Sequence, residues 1–295
     1  MYSFLTTSPW PDYALVDSGN FQKLERFGRY LLSRPEPQAI WDKHLPESEW
    51  QKADATFTRA GQGKESSQEK GQWHRAAHMP ERWPMTYARD GFTLQLQLRL
   101  SSFKHVGLFP EQDPNWQFVF AQSRKRTKPR VLNLFAYTGA ATLAARAGGA
   151  EVTHLDAVKP VNAWARENME ASTLADVRWI TEDAMKFVRR EVKRGNTYQG
   201  IILDPPAYGR GPDGEKWQLE EQLNEMLKLT QSLLDPVDHF FLINLYSLGF
   251  SALILDNLVS AIFPRARSTR ELGEIYLQDQ GQRKLPLGTF CRFAS

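Results

Sequence analysis

The sequence predicts an α/β protein: a mostly parallel sheet covered by helices on both faces, with one antiparallel edge strand, after a smaller β-rich α+β domain. Three observations carry this. From Arg130 onward short apolar segments alternate with helical ones across short connections, the pattern of right-handed βαβ units. The last two strand-like segments have no long helix between them and read as a hairpin. Residues 1–128 differ in texture, holding six of the nine tryptophans among short extended pieces broken by Pro and Gly. The expected domains are 1–105, suited to substrate binding, and 106–295.

In the first domain, Thr93–Leu100 alternates apolar and polar residues, the period of a strand with one buried face. Phe21–Leu32 fits a helical turn or a hairpin. Gly61–Gly71 is polar, Gly-rich and aperiodic, as an exposed, mobile loop would be. In the second domain Val131–Phe135 is a strand, and Thr138–Ala147 an Ala-rich helix stopped by Gly148-Gly149. Val152–Leu155 is the next strand, and Pro160 suits the first turn of a helix to Ala171. Val177–Ile180 is strand. Asp183 can cap a helix to Lys193, ended by Gly195. Gly200–Leu203 is strand, Trp217–Leu234 an amphipathic helix, His239–Asn244 strand and Ser251–Ile262 helix. Ala266–Ile275 and Leu287–Phe293 are the closing strands.

The 295 residues are 41% hydrophobic and 24% charged, the balance of a soluble globular protein. No apolar run nears the roughly 20 residues that span a bilayer, and Met1–Thr7 lacks the basic and apolar regions of a secretory signal. The expected compartment is the cytoplasm, without membrane association. One cysteine, Cys291, excludes an internal disulfide and a Cys-built zinc site. His74 and His78 are spaced i, i+4 but lack a third ligand, so no metal is expected. His105, beside Phe103-Lys104, reads as a packing or capping residue. Net charge is +3, with 18 Lys and Arg against 14 Asp and Glu in residues 1–128. The basic run Arg124–Arg130 is either a solvated linker or a phosphate-contacting patch. Nothing in the sequence sets an oligomeric state.

In open α/β sheets ligands bind beyond the carboxyl ends of the strands, where strand order reverses. Phe135-Ala136-Tyr137-Thr138-Gly139-Ala140 follows the first strand of this domain. Small residues there admit a ligand close to the backbone, and the helix N-terminus behind favours an anionic group. An ordinary strand-to-helix turn has the same composition. Asp156 ends the second strand, where a carboxylate can accept from two ribose hydroxyls or simply cap a helix. Glu182-Asp183-Ala184 follows the third strand, where it can accept from an adenine amino group or simply cap a helix. Asp204-Pro205-Pro206-Ala207-Tyr208-Gly209 follows the fourth. Two prolines forbid regular helix and ladder bonding and hold the carbonyls exposed. Asp204 and the Pro205 carbonyl can receive hydrogen bonds from an amino group, and Tyr208 can stack on a planar substrate; a rigid turn without chemistry is the alternative.

With these residues in hand, the chain resembles the class I S-adenosylmethionine-dependent methyltransferases, and within them the bacterial large-subunit ribosomal RNA cytosine-C5 and guanine-N7 group. Gly107–Gln112, Asn133–Gly139, Asp156–Pro160, Ala165–Asn168, Asp183-Ala184 and Asp204-Pro205-Pro206 carry the likeness. It implies a Rossmann-like seven-stranded sheet and a smaller β-rich domain before it. It implies S-adenosyl-L-methionine as cofactor, with Phe135, Ala136, Tyr137, Thr138 and Gly139 at the methionine part and Asp156 with Ala157 at the ribose. Asp183 with Ala184 would lie at the adenine, and Asp204, Pro205 and Tyr208 in the reaction zone. Phe109, Gln112, Asn133 and, besides its place in the reaction zone, Asp204 complete the expected cofactor site. Two departures stand out: no equivalent of the group's PUA-type RNA-binding domain precedes Tyr13, and Asn244-Leu245-Tyr246-Ser247 stands where cytosine-C5 members carry the thiol that adds to the ring.

The expected function is direct methyl transfer to RNA, ribosomal RNA by resemblance. The alternatives are methylation of a small molecule or protein side chain, and a non-catalytic S-adenosylmethionine-binding scaffold. An NAD-dependent dehydrogenase is disfavoured because Gly139 is the turn's single glycine, without Gly-x-Gly-x-x-Gly spacing.

Overall fold

The computed structural model describes residues 2–59, 71–89, 91–246 and 249–295. The expected loop Gly61–Gly71 lies, except for Gly71, outside them. The chain forms two compact units, neither continuous in sequence. One comprises Thr6–Gln112 and Tyr276–Leu287; the other comprises Met1–Leu5, Asp113–Ile275 and Gly288–Ser295.

The opening strand β1 (Tyr2–Thr6) is followed by β2 (Tyr13–Gly19), β3 (Gln22–Phe27), β4 (Tyr30–Pro35), helix α1 (Glu47–Trp50), β5 (Ala55–Arg59) and β6 (Gly71–Arg75). Strands β2 to β6 pair in sequence order. The Phe21–Leu32 segment is the β3–β4 hairpin, Phe27 opposite Tyr30, turning on Gly28 at φ 62°. A separate antiparallel pair joins β7 (Arg82–Arg89) to β8 (Phe92–Arg99). The period-2 reading holds there: Leu94, Leu96 and Leu98 are buried on one face.

Most of the larger sheet follows α2 (Asp113–Arg124). Its elements are β9 (Arg130–Leu134), α3 (Ala140–Ala147), β10 (Glu151–Asp156), α4 (Lys159–Ala171), β11 (Val177–Thr181), α5 (Ala184–Lys193) and β12 (Gly200–Leu203). There follow β13 (Tyr208–Arg210), β14 (Lys216–Gln218), α6 (Leu219–Leu233), β15 (Phe240–Leu245), α7 (Ala252–Ile262), β16 (Glu271–Gln278) and β17 (Lys284–Ala294). The sheet order is β1-β16-β17-β15-β12-β9-β10-β11. The neighbouring strands β11, β10, β9, β12 and β15 are parallel, and β17 runs antiparallel to β15; β13 and β14 form a separate antiparallel pair.

Seven strands are those expected from the sequence. The eighth is β1, which borders β16 and leaves antiparallel β17 third from that edge. β12 and β15 are buried throughout, as strands covered on both faces must be. Several boundaries moved. Pro264–Ser268 is a 3-10 turn, so the strand predicted from Ala266 starts at Glu271; Pro264 fits a first helical turn. Trp217, read as helical, belongs to β14 opposite Gly209.

Chain order reverses at β9. The chain moves outward through β10 and β11, then returns to place β12 on the other flank of β9. The loops leaving β9 and β12 therefore meet at the switch point, where α/β sheets bind ligands.

Candidate functional site

The loop leaving β9 is unusual in backbone. Phe135, Tyr137 and Gly139 have φ of 56°, 49° and 90°. The left-handed region costs a non-glycine residue roughly 1–2 kcal/mol, and such strain concentrates where function demands it. The surroundings hold the loop. Ala136 N donates to Leu155 O at 3.0 Å and Gly139 N to Ala136 O at 3.1 Å. Asn168 Nδ2 donates to the Thr138 carbonyl at 2.9 Å, which gives the Ala165–Asn168 motif a role in fixing the turn. Ala136 and Thr138 are buried. A Cβ on Gly139 would stand 3.2 Å from Ala165 Cβ. Gly139 is also the N-cap of α3, which has no side-chain cap. The first-turn N–H groups thus lack a side-chain acceptor and suit a carboxylate.

Asp156 ends β10 beside this loop. Its Oδ2 accepts from Tyr137 N and its Oδ1 from Val158 N, both at 2.9 Å. Burial pushes its carboxyl above the ordinary range while the two amides pull it down. A carboxylate has about four acceptor positions, so capacity remains for a pair of hydroxyls. Ala157, next to it, is half-buried. Asn133 lies deeper. Its Nδ2 donates to Thr142 Oγ1 at 2.9 Å, and Thr142 Oγ1 lies 2.8 Å from His154 Nδ1. Burial drives His154 down to about 3, so the ring is neutral and Nδ1 is free to accept. Asn133 is thus part of a buried polar prop; its side chain is closed off within the sheet unit.

Asp183 caps α5, its Oδ1 accepting from Lys186 N at 2.9 Å, and Ala184 behind it is buried. Glu182 forms an ion pair with Arg190. A Cβ on Gly211 would come 3.1 Å from Asp183 Cβ, so the β13–β14 hairpin passes close over this strand end.

Asp204 follows β12 directly. It is half-buried, Pro205 is buried, and Pro206 is exposed. Burial pushes its carboxyl up to about 6, against the downward pull of Asn244, whose Nδ2 donates to Asp204 Oδ1 at 2.9 Å. Tyr208 is 52% exposed at the start of β13. Trp217 is the residue that sequence reasoning missed. Its Nε1 donates to the Pro206 carbonyl at 2.7 Å, and its ring lies 4.7 Å from that of Phe135. One side chain thereby ties the Asp-Pro-Pro loop to the loop after β9. Nothing in the local pattern marks it, because a tryptophan at the head of an amphipathic stretch reads as a helix residue.

Phe109 and Gln112 belong to the other compact unit, where Gln112 N donates to Phe109 O at 3.0 Å. His74 Nε2 lies 2.8 Å from Thr58 Oγ1, and His78 Nε2 lies 2.7 Å from Asp54 Oδ1. His105 packs against Phe109. Among the described residues there is no group of three or more metal-ligating side chains. The basic run is partly structural: Arg126 donates to Asp238 Oδ1 at 2.7 Å and to the His239 carbonyl at 3.1 Å. Cys291 is fully buried in β17 opposite Ile243, and burial raises its thiol to about 12. No described helix is long and apolar enough to cross a membrane.

Comparisons with known proteins identify the family. The family model described as S-adenosylmethionine-dependent methyltransferase matches residues 64–254. A ribosomal RNA large subunit methyltransferase K/L from Shewanella frigidimarina is 30% identical over 151 residues, 50% of this chain and 20% of that protein. Its counterpart from Magnetococcus marinus is 28% identical over 188 residues, 50% of this chain and 25% of that protein. The chain thus spans about a fifth to a quarter of those relatives. The crystal structure of the SAM-dependent methyltransferase from Agrobacterium tumefaciens superposes with a TM-score of 0.90 at 38% identity, covering 99% of this chain and 93% of that one. The switch-point loops, the carboxylates closing consecutive strands and the family match lead to one conclusion: the chain belongs to the S-adenosylmethionine-dependent methyltransferases.

Proposed function

We propose that this methyltransferase acts on RNA in the cytoplasm, ribosomal RNA being the favoured substrate, by direct transfer to an acceptor held at Asp204. One observation carries the reading. Trp217 joins the Pro206 carbonyl to Phe135, so the loop suited to the cofactor and the loop suited to the acceptor are built as one piece.

Bound S-adenosylmethionine supplies an electrophilic methyl group on a sulfonium centre. The residues present fit it. The uncapped start of α3 suits the methionine carboxylate, and Asp156, with acceptor capacity left over, suits the ribose. Ala157 adjoins that contact, and Asp183 with Ala184 takes the adenine side. Asp204, when ionised, accepts a hydrogen bond from the acceptor and takes its proton where one must leave. Pro205 and Pro206 hold the backbone there without ladder bonding. Tyr208, exposed, offers a face on which a base stacks.

RNA is supported by the names of the relatives matched over half of this chain and by Tyr208. Thiolate addition to a pyrimidine ring is not part of the reading, since Cys291 is sealed in the sheet. The test is mass spectrometry of modified nucleosides in ribosomal RNA from a strain lacking the gene and from its parent. Loss of one methylated nucleoside, restored by the purified enzyme with labelled cofactor, is expected. Identical profiles, with transfer to small metabolites or protein instead, would overturn the RNA assignment.

A further inference from the structure

Asn244 was not among the residues expected to act, yet its amide is the protein partner of Asp204 among the described residues. Their adjacency follows from register. β12 and β15 run parallel with Leu203 beside Ile243, so the next residue of each strand, Asp204 and Asn244, stand side by side at the carboxyl end. The amide must turn its NH2 group to the carboxylate, because oxygen against oxygen would repel. That leaves Asn244 Oδ1 buried with no hydrogen-bond partner, an arrangement that costs free energy. Room for it comes from Gly288 in β17, where a Cβ would stand 3.2 Å from Asn244 Oδ1 and 3.1 Å from the Leu245 carbonyl.

We propose that Asn244 is a positioning residue of the transfer step: by holding Asp204 Oδ1, it fixes the carboxylate so that Oδ2 faces the acceptor. The proposal rests on the assignment of Asp204 to the reaction site. A carboxylate held by one oxygen presents the other in a fixed direction, and such orientation contributes to rate through geometry. The same bond favours the ionised form that accepts from the substrate, against burial. Among the described residues no other titratable or charged group acts on Asp204, from its own strand, from β9 and β15, or from the β13–β14 hairpin.

The test follows the Asp204 carboxyl by carbon-13 NMR through a pH titration, in the wild-type enzyme and in Asn244→Ala, both saturated with S-adenosylhomocysteine. Single-turnover methyl transfer to RNA from the strain lacking the gene is measured over the same pH range. The wild-type carboxyl should titrate near the value of about 6. In Asn244→Ala the midpoint should rise by about one unit, the scale of a hydrogen bond to a charged group. The acidic limb of the rate profile should move with it, and the plateau rate should fall about tenfold. Affinity for S-adenosylhomocysteine, which also reports folding, should stay within about twofold if the bond acts on the acceptor side alone. An unmoved carboxyl midpoint overturns the proposal. So does a midpoint that moves while the rate profile does not. Full transfer by Asp204→Asn would instead overturn the reaction-site assignment, and the titration arm tells that failure apart.

Discussion

Asp204→Asn should make the protein more stable while disabling it. The carboxyl titrates at about 6 in the fold against an ordinary 3.8, chiefly because burial opposes its charge. A carboxyl raised in this way weakens the fold as pH climbs: the penalty is absent below the unfolded value, grows between 3.8 and about 6, and is constant above. About two units at 1.36 kcal/mol each give a ceiling near 3 kcal/mol at pH 8. The amide of asparagine carries no charge to bury, and its oxygen can still accept from Asn244. In a chain of this size that gain corresponds to roughly 5–10 °C in Tm. Thermal melts of both proteins at pH 8 and near pH 4.5 would measure it. The gain should be largest at pH 8 and mostly gone at the lower pH, while transfer falls by ~10²–10⁴-fold. An unchanged or lower Tm at pH 8, or a gain equal at both pH values, would refute the argument that burial sets the charge of Asp204.

Asp156→Ala should weaken binding of S-adenosylhomocysteine by ~10–100-fold, measured by calorimetry, since it removes a charge-assisted contact and releases the Tyr137 and Val158 amides. Retained affinity would place the ribose elsewhere. Tyr208→Ala should raise KM for RNA by an amount equivalent to ~1–3 kcal/mol with little change in the rate at saturation; an effect on the cofactor dissociation constant alone would contradict that. Cys291→Ser should retain methyl transfer, and a covalent adduct between Cys291 and 5-fluoropyrimidine RNA would reverse the reading. Trp217→Ala should depress both cofactor affinity and transfer, because it cuts the Pro206 bond and the Phe135 contact together; kinetics that alter just one would show the two loops to be independent.

The sheet of the larger unit was legible because its strands are buried on both faces, and so read as apolar runs between helical stretches of different period. Its eighth strand was not. Tyr2–Thr6 carries no strong signal, and the strand it joins, β16, starts at Glu271. Local pattern cannot report a pairing across that separation. The hairpin β3–β4 was half legible: Phe21–Leu32 fitted it or a helical turn, and Gly28-Arg29 is not one of the strong two-residue turn signals that would decide. Strand-end carboxylates announced the site, because position at a strand end is a sequence property. Asn244, bonded to Asp204, and Trp217, bonded to the Pro206 carbonyl, arrive from other elements and emerge only from register and packing. Asp183 shows how one residue admits two readings: it caps α5 as any Asp before a helix would, and it is the residue proposed for the adenine side.

The place of β1 has a consequence for how the chain is made. Its partner is β16, which starts only at Glu271, so the pairing edge of β1 stays open on the ribosome until that distant segment has emerged. Unpaired strand edges invite foreign pairing, and contacts this distant in sequence form slowly. The exposed aromatic rings of Tyr2 and Phe4 would be carried through that whole interval on a strand without its partner. Chaperone dependence of nascent chains should therefore ease when residues 2–6 are deleted, even though the finished sheet loses a strand.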